Sequence, residues 1–268
     1  MKRRNQFVTK IVTTLCLSIL LSTKAYGYSF TQDFQKGFYW ASFPVSMTPF
    51  STDSEESAQL DQLVRESVQE WEAAVGQQMW EINPIQNSTN YQGNYIRWSN
   101  NFGAETGWDP TRTLAVTIRF NQGTFFQQTV IILNGNIGYL KQNWGNSLKT
   151  TLLHEIGHTL GLDHSSNPNA IMAASLASVY TLQADDIEGM TALIQESNNR
   201  QLSGFVSPFS TQNDKQKGLV PACGTIEEMS GGKPPHNGMG NFIGSLMVGL
   251  MAVVIAKSAQ KARVSIRY

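Results

Sequence analysis

Cysteine is nearly absent from this chain. Its 268 residues hold only Cys16 and Cys223. Cys16 falls in a leader expected to be removed, so the remaining domain has no internal disulfide available and must be held by its core. An excess of charge of one sign is also lacking: 20 Lys and Arg balance 20 Asp and Glu. That balance provides no field to attract nucleic acid, and no nucleic-acid partner is expected. A third absence is local. Between Pro110 and Leu153 there is no Asp, Glu, His or Cys, so loops in that stretch have no side chains for an accessory zinc or calcium ion. Calcium has no identified site.

Long apolar runs are confined to the two ends. Lys2, Arg3, Arg4 and Lys10 precede an apolar run from Ile11 to Leu21, and Ala25-Tyr26-Gly27 offers small residues for cleavage. Residues 1–27 therefore read as a secretory signal peptide, with a retained membrane anchor as the alternative. Near the other end, Phe242 to Ala256 is apolar or small and is followed by Lys257, Lys261, Arg263 and Arg267. This predicts a short transmembrane or sorting helix over 242–256 and a basic cytoplasmic tail over 257–268. A buried terminal helix is the plainer alternative. Residues 199–241 are rich in Ser, Gln, Asn, Gly, Pro and Lys and read as a flexible linker. Within it, Cys223-Gly224-Thr225 has two readings, a motif modified during surface attachment or an unpaired cysteine in a tether. The expected product is exported to the cell surface or periplasm and anchored by its C-terminal helix, with residues 28–198 outside the cytoplasm as a monomeric domain.

What that domain does is suggested by His154-Glu155-Ile156-Gly157-His158-Thr159-Leu160-Gly161-Leu162-Asp163-His164, which contains three of the chain's four histidines. On a helix, positions i and i+4 share a face, so His154 and His158 can offer nitrogens to one zinc about 2.0–2.1 Å away. Gly161 can take the left-handed conformation that ends a helix, turning the chain so that His164 approaches as third ligand. A fourth position stays open for water. Glu155 is placed to take a proton from that water rather than to bind metal. The plain alternative is a helix whose histidines face a polar surface.

The stretch resembles the metzincin metalloproteases, and its surroundings narrow the resemblance to the matrixins, the matrix-metalloproteinase-like branch. Ser165 follows the third histidine, Asn169-Ala170-Ile171-Met172 is similar to the segment entering that family's Met-turn, and Tyr180-Thr181-Leu182-Gln183-Ala184-Asp185-Asp186-Ile187-Glu188-Gly189-Met190 is similar to the start of its last helix. The resemblance covers about residues 38 to 196. It implies an α+β metzincin fold: a twisted, mostly parallel sheet with an antiparallel edge strand, an active-site helix, a Met-turn and a C-terminal helix. It further implies Met172 beneath the metal, an aspartate of the Asp185-Asp186 pair as a structural anchor, and a protein or peptide substrate lying antiparallel on the strand Leu114 to Phe120. Ala173-Ala174 stands where matrixins usually continue with Tyr-Pro, so that family's pocket wall is not carried over. Nor is cysteine-switch latency, because the few residues between Tyr28 and the first strand hold no cysteine.

Periodicity fills in the rest. A first strand is predicted within 38–50, with Pro44 at an edge or bulge. A helix from Ser54 to about Gly76 carries Leu60, Leu63, Val64, Val68, Trp71 and Val75 on one face. Strands follow around Met79 to Ile82 and Tyr95 to Trp98, then a hairpin of Leu114 to Phe120 and Thr124 to Leu133. Asn146 or Ser147 is expected to cap the histidine helix, and a last helix to run from about Leu182 to Glu196. The reading reached is an exported, membrane-tethered zinc endopeptidase with Glu155 as general base. Two alternatives stay open: a catalytically silent surface adhesin that keeps zinc for stability, and a different zincin in which Glu188 replaces His164 as third ligand.

Overall fold

Helical and alternating periodicities resolve into one layered domain with a sheet on one side of the histidine helix. The computed structural model describes residues 27–142, 144–176, 178–210 and 222–227. The leader through residue 26 and the 242–256 run lie outside the described residues. Among the described residues no helix is long and apolar enough to cross a membrane.

The chain runs β1 (Ser29–Phe30), α1 (Gln32–Gln35), β2 (Val45–Phe50), α2 (Ser54–Val75), β3 (Trp80–Ile82), β4 (Tyr95–Ser99) and α3 (Phe102–Thr106). It continues through β5 (Thr113–Gln122), β6 (Phe125–Asn134), α4 (Gly138–Gln142), a π-helical turn (Trp144–Leu148), α5 (Lys149–Leu160), β7 (Leu162–Asp163), α6 (Ala184–Ser203) and β8 (Ala222–Glu227). The main sheet has the order β3-β2-β4-β6-β5-β8. β2 is parallel to β3 and β4, and β4 is parallel to β6, while β5 turns back antiparallel to β6. These five strands form the expected mostly parallel sheet with an antiparallel edge. Parallel neighbours need a crossover, and α2 supplies it between β2 and β3. β8 adds a sixth strand on the outer edge of β5, from within the stretch read as linker.

The apolar stripe of α2 is buried where its spacing predicts. Leu60, Leu63, Val64, Val68 and Trp71 enter the main core with Leu152, Leu153, Ile156 and Leu160 of α5 and Met190, Leu193 and Ile194 of α6. Each such side chain contributes about 1.5–3 kcal/mol when fully buried. Trp71 also donates its indole N–H to the Leu153 carbonyl at 2.9 Å, tying α2 to the histidine helix. Two further indoles end on that helix, Trp40 on the Thr159 carbonyl and Trp80 on the Thr159 hydroxyl, both at 2.9 Å.

Three boundaries differ from expectation. The β5–β6 turn is Gly123-Thr124, since Gln122 pairs with Phe125. α6 runs on to Ser203 rather than stopping near Glu196. Neither Asn146 nor Ser147 caps α5, because the helix is entered through the π turn, with Leu148 in helical conformation and no side-chain cap. The preceding turn continues the helix, so no free end remains there for a side chain to satisfy.

A buried ion pair locks the edge strand to the N-terminal segment. Arg119 of β5 is fully buried and its Nε lies 2.9 Å from Asp33 Oδ2, with Asp33 only 5% exposed. The same guanidinium donates to the His158 carbonyl, at the end of α5 where a cation suits the helix dipole. Burial alone would raise Asp33, but the Arg119 charge and hydrogen bonds from Arg119, Thr31 and the Phe34 amide outweigh it and hold the carboxyl below its ordinary value. A depressed carboxyl stabilises the fold above its unfolded pKa, and that contribution is lost as pH falls through the folded value. Asp33→Asn leaves Arg119 buried without its counter-charge and should cost about 3–5 kcal/mol by denaturant titration at pH 7. The gap to the unsubstituted chain should narrow as pH falls below the ordinary aspartate value of 3.8.

Candidate active site

α5 carries His154, Glu155 and His158, and all three are fully buried. The helix stops at Gly161, whose φ of 113° is in the left-handed region and whose N–H donates to the His158 carbonyl at 3.1 Å. A side chain there is excluded twice, by that backbone conformation and by Phe34, whose Cβ would lie 3.0 Å from an added Cβ. The reversed chain then enters β7, which pairs with β1 through Leu162 opposite Phe30 and Asp163 opposite Ser29. His164 follows directly. Its carbonyl is held by the Ser29 hydroxyl at 2.8 Å.

Two of the three imidazoles are oriented by backbone carbonyls. His154 Nδ1 meets the Ile171 carbonyl at 2.8 Å, and His158 Nδ1 meets the Leu162 carbonyl at 2.7 Å. A carbonyl only accepts, so each Nδ1 carries the proton and each Nε2 presents a lone pair. Those two Nε2 atoms face one another at 2.9 Å. Burial, with the charges of His154 and His164 behind it, holds His158 well below its ordinary pKa, so neutral imidazole is the form present. Ring nitrogens of His154, His158 and His164 all lie within 4.8 Å of one another. Opposed lone pairs on neutral imidazoles, joined by a third imidazole, are a donor set suited to zinc.

Among the described residues these three histidines are the group able to hold a metal, and neither Glu155 nor Glu188 belongs to it. Glu155 faces β5 instead, where the Thr117 hydroxyl donates to its Oε2 at 2.5 Å and to its backbone carbonyl at 3.1 Å. Met172 is buried beneath α5, its Sδ so close to Gly157 that a Cβ added there would lie 2.6 Å from it. Gly157 thus admits the methionine that a larger residue would displace.

The turn carrying Met172 hangs from the start of α6. Asp186 accepts the Ile171 amide on Oδ2 and the Met172 amide on Oδ1, both at 2.9 Å, as well as the Gln183 amide at 2.8 Å in a reciprocal cap. Burial raises the Asp186 pKa, and the three amides pull against that rise. Asp185 binds a different set: the Gly27 amide at 2.8 Å, the Tyr28 amide at 3.2 Å and the Ser165 hydroxyl at 2.5 Å. The pair complements the helix dipole and also pins both strands of chain that pass under the histidines. Thr117, Arg119, Asp33 and Gly157 carry no mark in the sequence pattern, although a lone arginine in the apolar run Leu114 to Phe120 is a signal of a buried partner.

Asp186→Ala leaves the Ile171 and Met172 amides without acceptors, at about 1–3 kcal/mol each. Because the Ile171 carbonyl orients His154, zinc affinity should also fall about 10- to 100-fold, measured by competition with a chromophoric chelator.

Comparison with known proteins agrees with this geometry. The family model described as Matrixin matches residues 45–195, more than half of the chain. Human "Matrix metalloproteinase-15" is 47% identical over 53 residues, covering 18% of this chain and 8% of that protein. Rabbit (Oryctolagus cuniculus) "Macrophage metalloelastase" is 44% identical over 59 residues, covering 19% and 13%. Human "Neutrophil collagenase" is 40% identical over 68 residues, covering 22% and 15%. The matched segments therefore span a small fraction of these relatives' length. From the continuous match over the sheet, the histidine helix and the last helix, the chain belongs to the matrixin family.

Proposed function

We propose that this chain is a zinc-dependent endopeptidase whose ligands are His154, His158 and His164 and whose general base is Glu155. The observation that carries the reading is the contrast on one helix. Two imidazoles turn their lone pairs toward a common point with a third, while the carboxylate between them in sequence stays outside that group. A zinc held by these three histidines would supply Lewis acidity, polarising a carbonyl and acidifying water.

The chain's own groups do the rest. Glu155 takes a proton from the attacking water at a carboxylate oxygen and delivers it to the leaving amine as the C–N bond breaks, so one water is consumed and a carboxylate and an amine result. The Thr117 hydroxyl holds Glu155 in place. The outer edge of β5, paired with β8 in this structure, carries the backbone donors and acceptors that an extended peptide would use. Met172 and Gly157 supply a dry floor under α5. Export follows the leader's composition, and tethering follows the 242–256 run; both rest on sequence. Peptide or protein is the substrate class that the relatives' names support.

Glu155→Ala should reduce turnover of a peptide library about 10²- to 10⁴-fold while leaving zinc bound. His164→Ala should lose zinc, since three ligands leave none spare, and Glu188→Gln should keep both metal and activity. Zinc retained by His164→Ala but lost by Glu188→Gln would transfer the third ligand to Glu188. A zinc-loaded unsubstituted chain that cuts nothing even at saturating peptide would favour the silent adhesin. Metal analysis should find one zinc per chain, and a second tightly held zinc would contradict the missing ligands between Pro110 and Leu153.

A further inference from the structure

The outer edge of β5 is covered by the chain itself. β8 runs antiparallel along it, matching Ala115 with Ile226, Val116 with Thr225, Thr117 with Gly224, Ile118 with Cys223 and Arg119 with Ala222. β8 also comes close to α5. This register has chemical meaning through Thr117. Its hydroxyl touches the Glu155 carboxylate, so Gly224 stands directly across the sheet from the residue that holds the proposed base. The inner edge of β5 is already paired with β6. An extended peptide presenting a bond to Glu155 therefore has one row of β5 backbone groups to bind, and β8 uses that row.

We propose that segment 222–227 is a substrate-mimicking strand that occupies the peptide-binding edge of its own domain and keeps peptides out until it is displaced. The proposal rests on the endopeptidase reading above and names a regulator for that same site. The block comes from backbone pairing and not from a thiol. Thr117 and Arg119 reach Glu155 and the His158 carbonyl on α5, so alternation puts Ile118 on the far face, where it packs with Phe102, Val116 and Ile132. The register position of Cys223 is opposite Ile118; the position level with Glu155 belongs to a glycine. Residues 211–221 connect Ser210 to β8. Covalent attachment to the same domain gives an effective concentration on the order of 1 mM, so a strand whose free peptide had a Kd of about 0.1 mM would suppress substrate binding about tenfold.

The full chain allows a test that does not need activity. Ile118→Cys puts a thiol opposite Cys223 at the roughly 4.5–5.5 Å Cα spacing of antiparallel neighbours, within disulfide reach. Mild oxidation should join the two within one molecule, read by peptide mapping, whereas Gln122→Cys, out of register, should not join. Gly224→Pro removes a strand N–H. It should speed amide exchange in Thr113–Gln122 and lower KM for an added peptide about tenfold with kcat unchanged. Should Ile118→Cys fail to fold, the exchange comparison decides. Absence of the crosslink together with unchanged exchange overturns docking, and unchanged KM in a chain that does crosslink overturns the occluding role. Crosslink and exchange as expected, with a zinc-loaded Gly224→Pro chain that still cuts nothing at saturating peptide, would retain the docked strand and sink the endopeptidase reading.

Discussion

The Nε2 atoms of His154 and His158 face one another at 2.9 Å in a buried interior, and the rest of the site depends on that placement. The surrounding fold is arranged to fix both rings. Each Nδ1–H is spent on a carbonyl, and each carbonyl belongs to a segment fixed from elsewhere: Leu162 by its pairing with β1, Ile171 by the Asp186 carboxylate. Rotation of either ring away from the shared point would break a buried hydrogen bond. The rings are thus preorganised by bonds made away from the face they share.

Two carboxylates and one arginine divide the remaining work. Asp186 and Asp185, adjacent in sequence, reach in different directions. One takes the turn under the metal site and the other the chain entering the domain together with Ser165. Arg119 closes the third side by joining β5, the end of α5 and Asp33. Asp186, Asp33 and Arg119 are buried, away from the salt and water that would weaken their contacts, while those of Asp185 are half-buried. Burial makes the Asp186 and Arg119 contacts strong determinants of geometry and also costly to break one partner at a time.

The motif was legible because its spacing is dictated by helix geometry: His154 and His158 are one turn apart, and Gly161 has to be a glycine wherever the chain reverses that sharply against Phe34. The apolar stripe of α2 and the β5–β6 hairpin were legible for the same reason, each being a local period. What lay hidden depends on residues distant in the chain. Nothing local to Arg119 indicates Asp33, 86 positions away. The segment containing Cys223 has the composition of a linker, and only register against β5 turns it into a strand. The expected cap at Asn146 or Ser147 failed because a π turn prolongs the helix, a tertiary choice that propensity does not encode.

Gly161 has one more consequence, which concerns time. The bond from Thr31 to the Gly161 carbonyl spans 130 residues, and that from Arg200 to the Phe34 carbonyl spans 166. Closing loops of that size costs conformational entropy before any contact rewards it, and such topologies form slowly. A nascent chain that has completed α5 still lacks the seat for His164, because β1 must already lie against β7 and α6 must have been made to hold Tyr28 beside it. Metal capture is therefore tied to completion of the whole domain, and a half-made chain carrying only the helical histidine pair is a poor competitor for zinc.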